Sequence, residues 1–185
     1  MADRRHFLAR IGGLISYSQK NEIIMKSNEF SSGQNSSLIL LRILIGWHFL
    51  YEGVLKLYNP AWTSKGYLLS ASFFKTFFVW ISGDSMIGIV DTLNIVGLIA
   101  VGAGLLLGLK IKWACVGGIL LLALYYLAHP PFPGLEQGPA EGSYWMVNKN
   151  LIEMAALLVL YQFPVYTSFG IERLFNRKKV ESVNG

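Results

Sequence analysis

Four long apolar runs, separated by polar segments, dominate the hydrophobic pattern of the chain. They cover about residues 37–58, 86–108, 111–129 and 147–167. Each run is close to the roughly 20 residues that an α-helix needs to cross the hydrocarbon core of a bilayer. The pattern therefore predicts an all-α fold, an integral membrane four-helix bundle in contact with the lipid bilayer.

The segments between these runs predict how the helices are connected. The sequence GLKIK at 108–112 leaves room only for a tight turn, so the second and third helices should form an antiparallel hairpin. The first loop, about 59–85, is apolar but is interrupted by Lys75, Gly83 and Asp84. We expect an amphipathic or re-entrant segment there, covering the outer end of the bundle.

The two ends of the chain differ in composition from the apolar domain between them. Residues 1–36 form a polar N-terminal tail, 37–168 the four-span membrane domain, and 169–185 a basic C-terminal tail. Lys and Arg concentrate in the two tails and in the 108–112 turn, whereas the other loops hold few. Because cytoplasmic segments carry the excess of Lys and Arg, we expect a multi-pass protein of the inner (cytoplasmic) membrane with both termini in the cytoplasm.

Composition narrows the classes of function. Hydrophobic residues make up 53% of the chain and charged residues 15%, against about a quarter charged in soluble proteins. The net charge is +5, but the basic residues lie at chain ends and in short loops, so nucleic acid is not an expected partner. A single cysteine, Cys115, excludes an intrachain disulfide. Three scattered histidines and the lack of a glycine-rich nucleotide loop give no reason to expect haem, metal or nucleotide.

The first run carries ionisable residues that a lipid-facing helix would not tolerate: Arg42, His48, Glu52 and Lys56. An ionised side chain near the centre of a bilayer costs at least about 3 kcal/mol on insertion scales. His48, Glu52 and Lys56 are spaced i, i+4 and i+8, so they form one polar stripe along the helix. We expect this stripe to face the other helices, with Glu52 paired to Lys56.

Polar residues near the start of two other runs lie at a depth similar to that of Glu52. Asp91 and Asn94 belong to the second run, and Asn150 and Glu153 belong to the fourth. Each pair is spaced i, i+3 and shares a helix face, so three carboxyl groups should meet in the outer half of the bundle. One interpretation is a polar cavity for a ligand or protons. The other is a buried network of ion pairs and hydrogen bonds that only fixes helix register.

The chain resembles the DoxX/DoxD family of small four-span membrane proteins over about residues 36–167. The resemblance rests on the first span, LLRILIGWHFLYEGVLKLYNPAW, on TSKGYLLSA after it, on the glycine-rich hairpin and on NKNLIEMAALLVL at the entry to the last span. The most family-like positions are Arg42, Gly53, Lys56, Pro60, Trp62, Asn150 and Glu153. The family includes the small subunit of thiosulfate:quinone oxidoreductase.

This resemblance implies a subunit of a quinone-linked oxidoreductase system, with quinone as the cofactor and a membrane or exported protein as the partner that supplies electrons. The expected catalytic residues are Glu52, His48, Asp91 and Glu153. The expected quinone-binding residues are Trp47, Tyr51, Lys56, Asn94 and Asn150. The alternative is a non-catalytic membrane anchor or assembly subunit for an exported oxidoreductase. Transport of a small solute or of protons is a third hypothesis, weakened because the acidic groups occupy only one half of the bilayer.

Overall fold

The computed structural model describes residues 31–135 and 145–163. Every regular element in these two ranges is an α-helix, in the order α1 Ser32–Tyr58, α2 Lys65–Leu69, α3 Lys75–Ile81, α4 Ile87–Leu107, α5 Ile111–Ala128 and α6 Lys149–Gln162. Three of these helices, α1, α4 and α5, are long and apolar enough to cross a membrane. The described part of the protein is therefore all-helical, as predicted, with three candidate membrane spans.

The three candidate spans begin and end close to the predicted boundaries, except at the start of α1. This helix begins at Ser32, several residues before the predicted run. The hydroxyls of Ser36 and Ser37 donate to the carbonyl oxygens of Ser32 and Gly33, each at 3.0 Å. These bonds satisfy the two hydroxyls, and the helix includes a polar stretch that has the composition of a linker.

The fourth predicted run corresponds to α6, which has 14 residues and is shorter than a helix needs to cross a bilayer. Asn148 caps its first turn, because the side-chain oxygen accepts from the N–H of Leu151 at 3.1 Å. α6 packs along α5, and α5 packs along α4. The last residues of this predicted run, 164–167, lie outside the described residues, as do 1–30 and 169–185 of the predicted tails.

Two short helices, α2 and α3, occupy the first loop, where the sequence predicts one amphipathic or re-entrant segment. The break falls at Phe74, whose φ of 48° lies in the left-handed region that a bulky side chain rarely adopts. Leu68, Ala71 and Phe78 pack with Ala128 at the end of α5. The loop is therefore docked on one end of α5.

Two glycines bring the backbones of α1 and α4 close together. A Cβ atom on Gly102 of α4 would overlap the backbone nitrogen of Leu50 in α1, and a Cβ on Gly53 of α1 would lie 2.7 Å from Ile99 Cγ1. Such small residues let apolar helices approach closely. The most deeply buried side chains of the core are Phe49, Leu105, Cys115, Leu157 and Leu160.

Gly102→Ala is expected to lower the free energy of unfolding by about 2 kcal/mol, because the added methyl group forces α1 away from α4. The matched control is Gly88→Ala in the same helix, where a Cβ would meet no atom within 4 Å and where alanine improves helix propensity. Unfolding by sodium dodecyl sulfate in one mild detergent measures both variants. Equal stability of the two would contradict a backbone contact at Gly102.

Candidate functional site

A cavity of about 250 Å³ lies where α1 and α5 end and where α4 and α6 begin. Charged, amide and aromatic side chains form most of its wall. The lining residues are His48, Phe49, Glu52, Lys56, Trp62, Thr63, Ser64, Tyr67, Asn94, Leu98, Leu122, Tyr125, His129, Pro131, Asn148, Lys149 and Asn150. The structure thus brings together His48, Glu52, Lys56, Asn94 and Asn150 of the predicted site.

The polar stripe of α1 forms one wall of this cavity. The expected pair forms, with Lys56 Nζ 3.4 Å from Glu52 Oε2. The same ammonium lies 5.4 Å from the ring centroid of Trp62 and 5.8 Å from that of Tyr125. A cation near aromatic faces is attracted by their quadrupoles, so Lys56 is held by a carboxylate and two rings at once.

His48 connects α1 to α6 through Glu153. Its Nδ1 lies 2.8 Å from Glu153 Oε1, and both side chains are largely buried. The two groups are not oriented as a hydrogen bond, and Glu153 Oε2 has no hydrogen-bond partner among the described residues. The contact between these two side chains therefore joins α1 to α6 without a hydrogen bond. Glu153 stands behind His48 and does not itself line the cavity.

Asp91 holds a loop segment in place. Its Oδ1 accepts from the backbone N–H of Ser64 at 2.8 Å and also from the Ser64 hydroxyl. Ser64 lines the cavity, whereas Asp91 does not. Two hydrogen bonds to one carboxylate oxygen tie the residues before α2 to α4, so Asp91 shapes the cavity wall through Ser64.

The amides of the site differ in their partners. Asn94 Nδ2 donates to the hydroxyl oxygen of Tyr125, while Asn94 Oδ1 is buried without a partner among the described residues. Asn150 is only 9% exposed and lines the cavity. Its side chain makes no hydrogen bond to any residue in 31–135 or 145–163. Asn150 therefore presents an unused amide to the cavity.

Trp47 and Tyr51 lie outside the cavity. They are 60% and 51% exposed, and their rings stack on each other with centroids 6.2 Å apart. Each residue immediately precedes a member of the polar stripe, His48 or Glu52. A rotation of about 100° per residue moves both onto the outer face of α1. Trp47 and Tyr51 are therefore next to the polar stripe in sequence, but their side chains do not line the cavity.

Several lining residues were not among the predicted site residues, and His129 is the clearest case. It is buried at the end of α5, its Nε2 lies 3.0 Å from the carbonyl oxygen of Tyr67, and its ring meets the Tyr67 ring edge-on. The Tyr67 hydroxyl donates to the carbonyl oxygen of Tyr125 at 3.1 Å. His129 is the last residue of the third apolar run, so the depth argument applied to Glu52 could also have placed His129 near this site.

One ion pair lies apart from the cavity. Lys65 Nζ contacts Asp84 Oδ1 at 2.6 Å, and the Asp84 side chain is 93% exposed. The hydrogen bond from Lys65, together with its charge, holds the pKa of Asp84 below its usual value. The described residues contain no group of three or more His, Cys, Asp or Glu side chains that could hold a metal ion.

Comparison with known proteins assigns no family or function to this site. The resemblance to the DoxX/DoxD family is therefore a hypothesis that rests on the sequence positions given above. No family model, no curated protein and no solved structure matches the chain.

Proposed function

We propose that the protein is a small integral membrane subunit of a quinone-linked oxidoreductase system, similar to DoxX/DoxD proteins, and that its cavity binds a quinone headgroup. The observation that carries the proposal is the buried amide of Asn150, which lines the cavity and makes no side-chain hydrogen bond within the described residues. An amide in this position can donate to a ligand in the cavity. A ligand that carries a carbonyl oxygen satisfies it.

The rest of the wall suits a flat ring with polar oxygens. Aromatic side chains of Phe49, Trp62, Tyr67 and Tyr125 line the cavity beside Asn150. Apolar and aromatic walls with a few convergent polar groups are typical of small-molecule sites. A volume of about 250 Å³ accommodates one substituted ring, while an isoprenoid tail would extend into lipid.

The ionisable side chains give this site a way to move protons. A quinone takes up electrons and protons together when it is reduced. In this proposal the electrons come from a membrane or exported partner protein. His48 has Nδ1 against Glu153, which leaves Nε2 to meet a ligand oxygen. Glu52, whose side chain is 41% exposed, exchanges protons with the aqueous side.

The proposal includes the membrane topology. α6 belongs to the fourth span predicted over 147–167, and α2 and α3 form the amphipathic or shallow re-entrant segment at the outer face. Both termini are cytoplasmic in the inner membrane, because Lys and Arg concentrate in the tails and the 108–112 turn. The exposed rings of Phe77 and Trp80 support an interfacial position for α3.

A non-catalytic anchor or assembly subunit is the second candidate, and a different observation favours it. Each carboxyl group of the cluster already has a partner in the described part of the chain: Lys56 for Glu52, Ser64 for Asp91 and His48 for Glu153. A network in which each carboxyl group contacts such a partner can serve helix register alone. Such a subunit would lose its partner on detergent extraction and would carry no quinone.

Near-stoichiometric quinone is expected to co-purify with the wild-type protein from native membranes in mild detergent. Asn150→Leu should bind quinone about tenfold more weakly, because the ligand loses one hydrogen bond of about 1.4 kcal/mol, so a site that is about nine-tenths occupied in the wild type should fall to about half occupancy. Solvent extraction and mass spectrometry measure the content. Trp47→Leu is the control, because it changes the outer face of α1, and it should match wild type. Background quinone in the wild type would overturn the proposal in favour of the anchor.

A further inference from the structure

We infer that Tyr125, positioned by Asn94, donates a hydrogen bond to a second carbonyl oxygen of the ring, so that the cavity selects rings with two opposed carbonyls over rings with one. This inference rests on the proposed quinone function and extends it. It names a specificity-determining residue on α5, in addition to Asn150 on α6.

The position of Tyr125 is fixed from several sides. Its hydroxyl oxygen accepts from Asn94 Nδ2 on the neighbouring helix α4. The Tyr67 hydroxyl donates to its carbonyl oxygen at 3.1 Å, and the two tyrosine rings meet edge-on with centroids 6.2 Å apart. Lys56 approaches the Tyr125 ring from α1. A hydroxyl held in this way is preorganised, so little rotamer freedom is lost when a ligand binds.

Counting donors and acceptors leaves the Tyr125 hydroxyl hydrogen unused. A tyrosine hydroxyl has one hydrogen to donate and an oxygen that accepts, and the oxygen is engaged by Asn94. The opposite orientation of the Asn94 amide would put two N–H groups at the buried position that Oδ1 occupies, where no partner exists among the described residues. Buried unpaired N–H groups are rarer than under-satisfied acceptors. Asn94 therefore donates, and the O–H of Tyr125 remains for an acceptor.

Two unused donors on different helices define the class of ligand. The amide of Asn150 and the hydroxyl of Tyr125 both belong to residues that line the cavity. A ring with carbonyl oxygens on opposite sides satisfies both donors, whereas a ring with one carbonyl leaves one of them unsatisfied. The second hydrogen bond should strengthen binding about tenfold.

Isothermal titration calorimetry of the full chain in mild detergent tests the inference, with menadione as the two-carbonyl probe and tetralone as the one-carbonyl probe. Wild type should bind menadione about tenfold more tightly than tetralone. Tyr125→Phe should weaken menadione binding about tenfold and affect tetralone less. Tyr51→Phe is the matched control, since it also removes a tyrosine hydroxyl, but from the exposed face of α1. This variant should bind both probes as wild type does.

The outcomes separate this inference from the proposed function. Unchanged menadione binding by Tyr125→Phe, or an equal loss for both probes, overturns the inference and leaves the quinone site intact. If wild type binds neither probe, the proposed function fails and the inference fails with it. If Tyr125→Phe does not fold, the comparison of the two probes on wild type decides, and equal affinities overturn the inference.

Discussion

His48→Leu is expected to lower the free energy of unfolding by about 3 kcal/mol. The imidazole places Nδ1 2.8 Å from Glu153 Oε1 and links α1 to α6. Glu153 is largely buried, and its Oε2 has no hydrogen-bond partner in the described part of the chain. Leucine would remove the imidazole that contacts this carboxyl group and would leave Glu153 without that partner between α1 and α6.

The double variant His48→Leu with Glu153→Leu is the informative control. Replacing both members of a buried pair by apolar residues is often neutral, whereas removing one member leaves the other uncompensated. We expect the double variant to recover more than half of the lost stability, as measured by unfolding in sodium dodecyl sulfate and a double-mutant cycle. A double variant as unstable as His48→Leu would contradict this account of the pair.

The same double variant discriminates between the two candidate functions. A network that only sets helix register should tolerate an apolar replacement, so the folded double variant would still associate with its partner. A quinone site that uses His48 should lose quinone from the folded double variant. Stability and quinone content measured on one preparation therefore separate packing from ligand chemistry.

The polar face of α1 could be predicted because its signal is local. His48, Glu52 and Lys56 recur at helical spacing. Because a charged side chain that faces lipid is costly, these residues should face the protein interior. The pairing of Lys56 with Glu52, one helical turn apart, follows from the same spacing. Helix spacing also predicts that Asn94 and Asn150 share faces with Asp91 and Glu153. Both amides line the cavity, whereas the two carboxyl groups do not.

The partners of these residues could not be predicted, because they come from distant parts of the chain. Asp91 binds Ser64, which lies 27 residues earlier in a loop whose path the hydrophobic pattern does not determine. The same loop also contains the left-handed backbone of Phe74, and no glycine marks this position in the sequence. The contact between Tyr125 and Asn94 depends on the packing of α4 against α5, which the hydrophobic pattern does not determine in such detail.

Asp91→Ala is expected to release the segment that forms one side of the cavity and to lower the free energy of unfolding by about 3 kcal/mol. The carboxylate accepts two hydrogen bonds from Ser64, and bonds to charged groups contribute about 1.5–3 kcal/mol each. Ser64 is buried and would keep an unpaired hydroxyl. Hydrogen exchange measured by mass spectrometry should be at least about tenfold faster across residues 59–64.

Asp84→Ala provides the matched control, because it removes a carboxylate of the same loop region that also accepts from a neighbour. Asp84 is exposed, and its pair with Lys65 lies in water, where such pairs contribute little. Exchange across 59–64 and stability should therefore stay near wild type. Equal protection in Asp91→Ala and Asp84→Ala would contradict the anchoring role of Asp91.

The conservative variant Asp91→Asn decides whether Asp91 acts through the loop or through proton transfer. Asparagine keeps an oxygen that can accept from Ser64 but cannot gain or lose a proton near neutral pH. If Asp91→Asn keeps both the exchange protection of 59–64 and the quinone content that Asp91→Ala loses, Asp91 is a positioning residue for the cavity wall. If Asp91→Asn keeps the protection but abolishes proton-coupled reduction of bound quinone, the carboxyl group itself takes part in the chemistry.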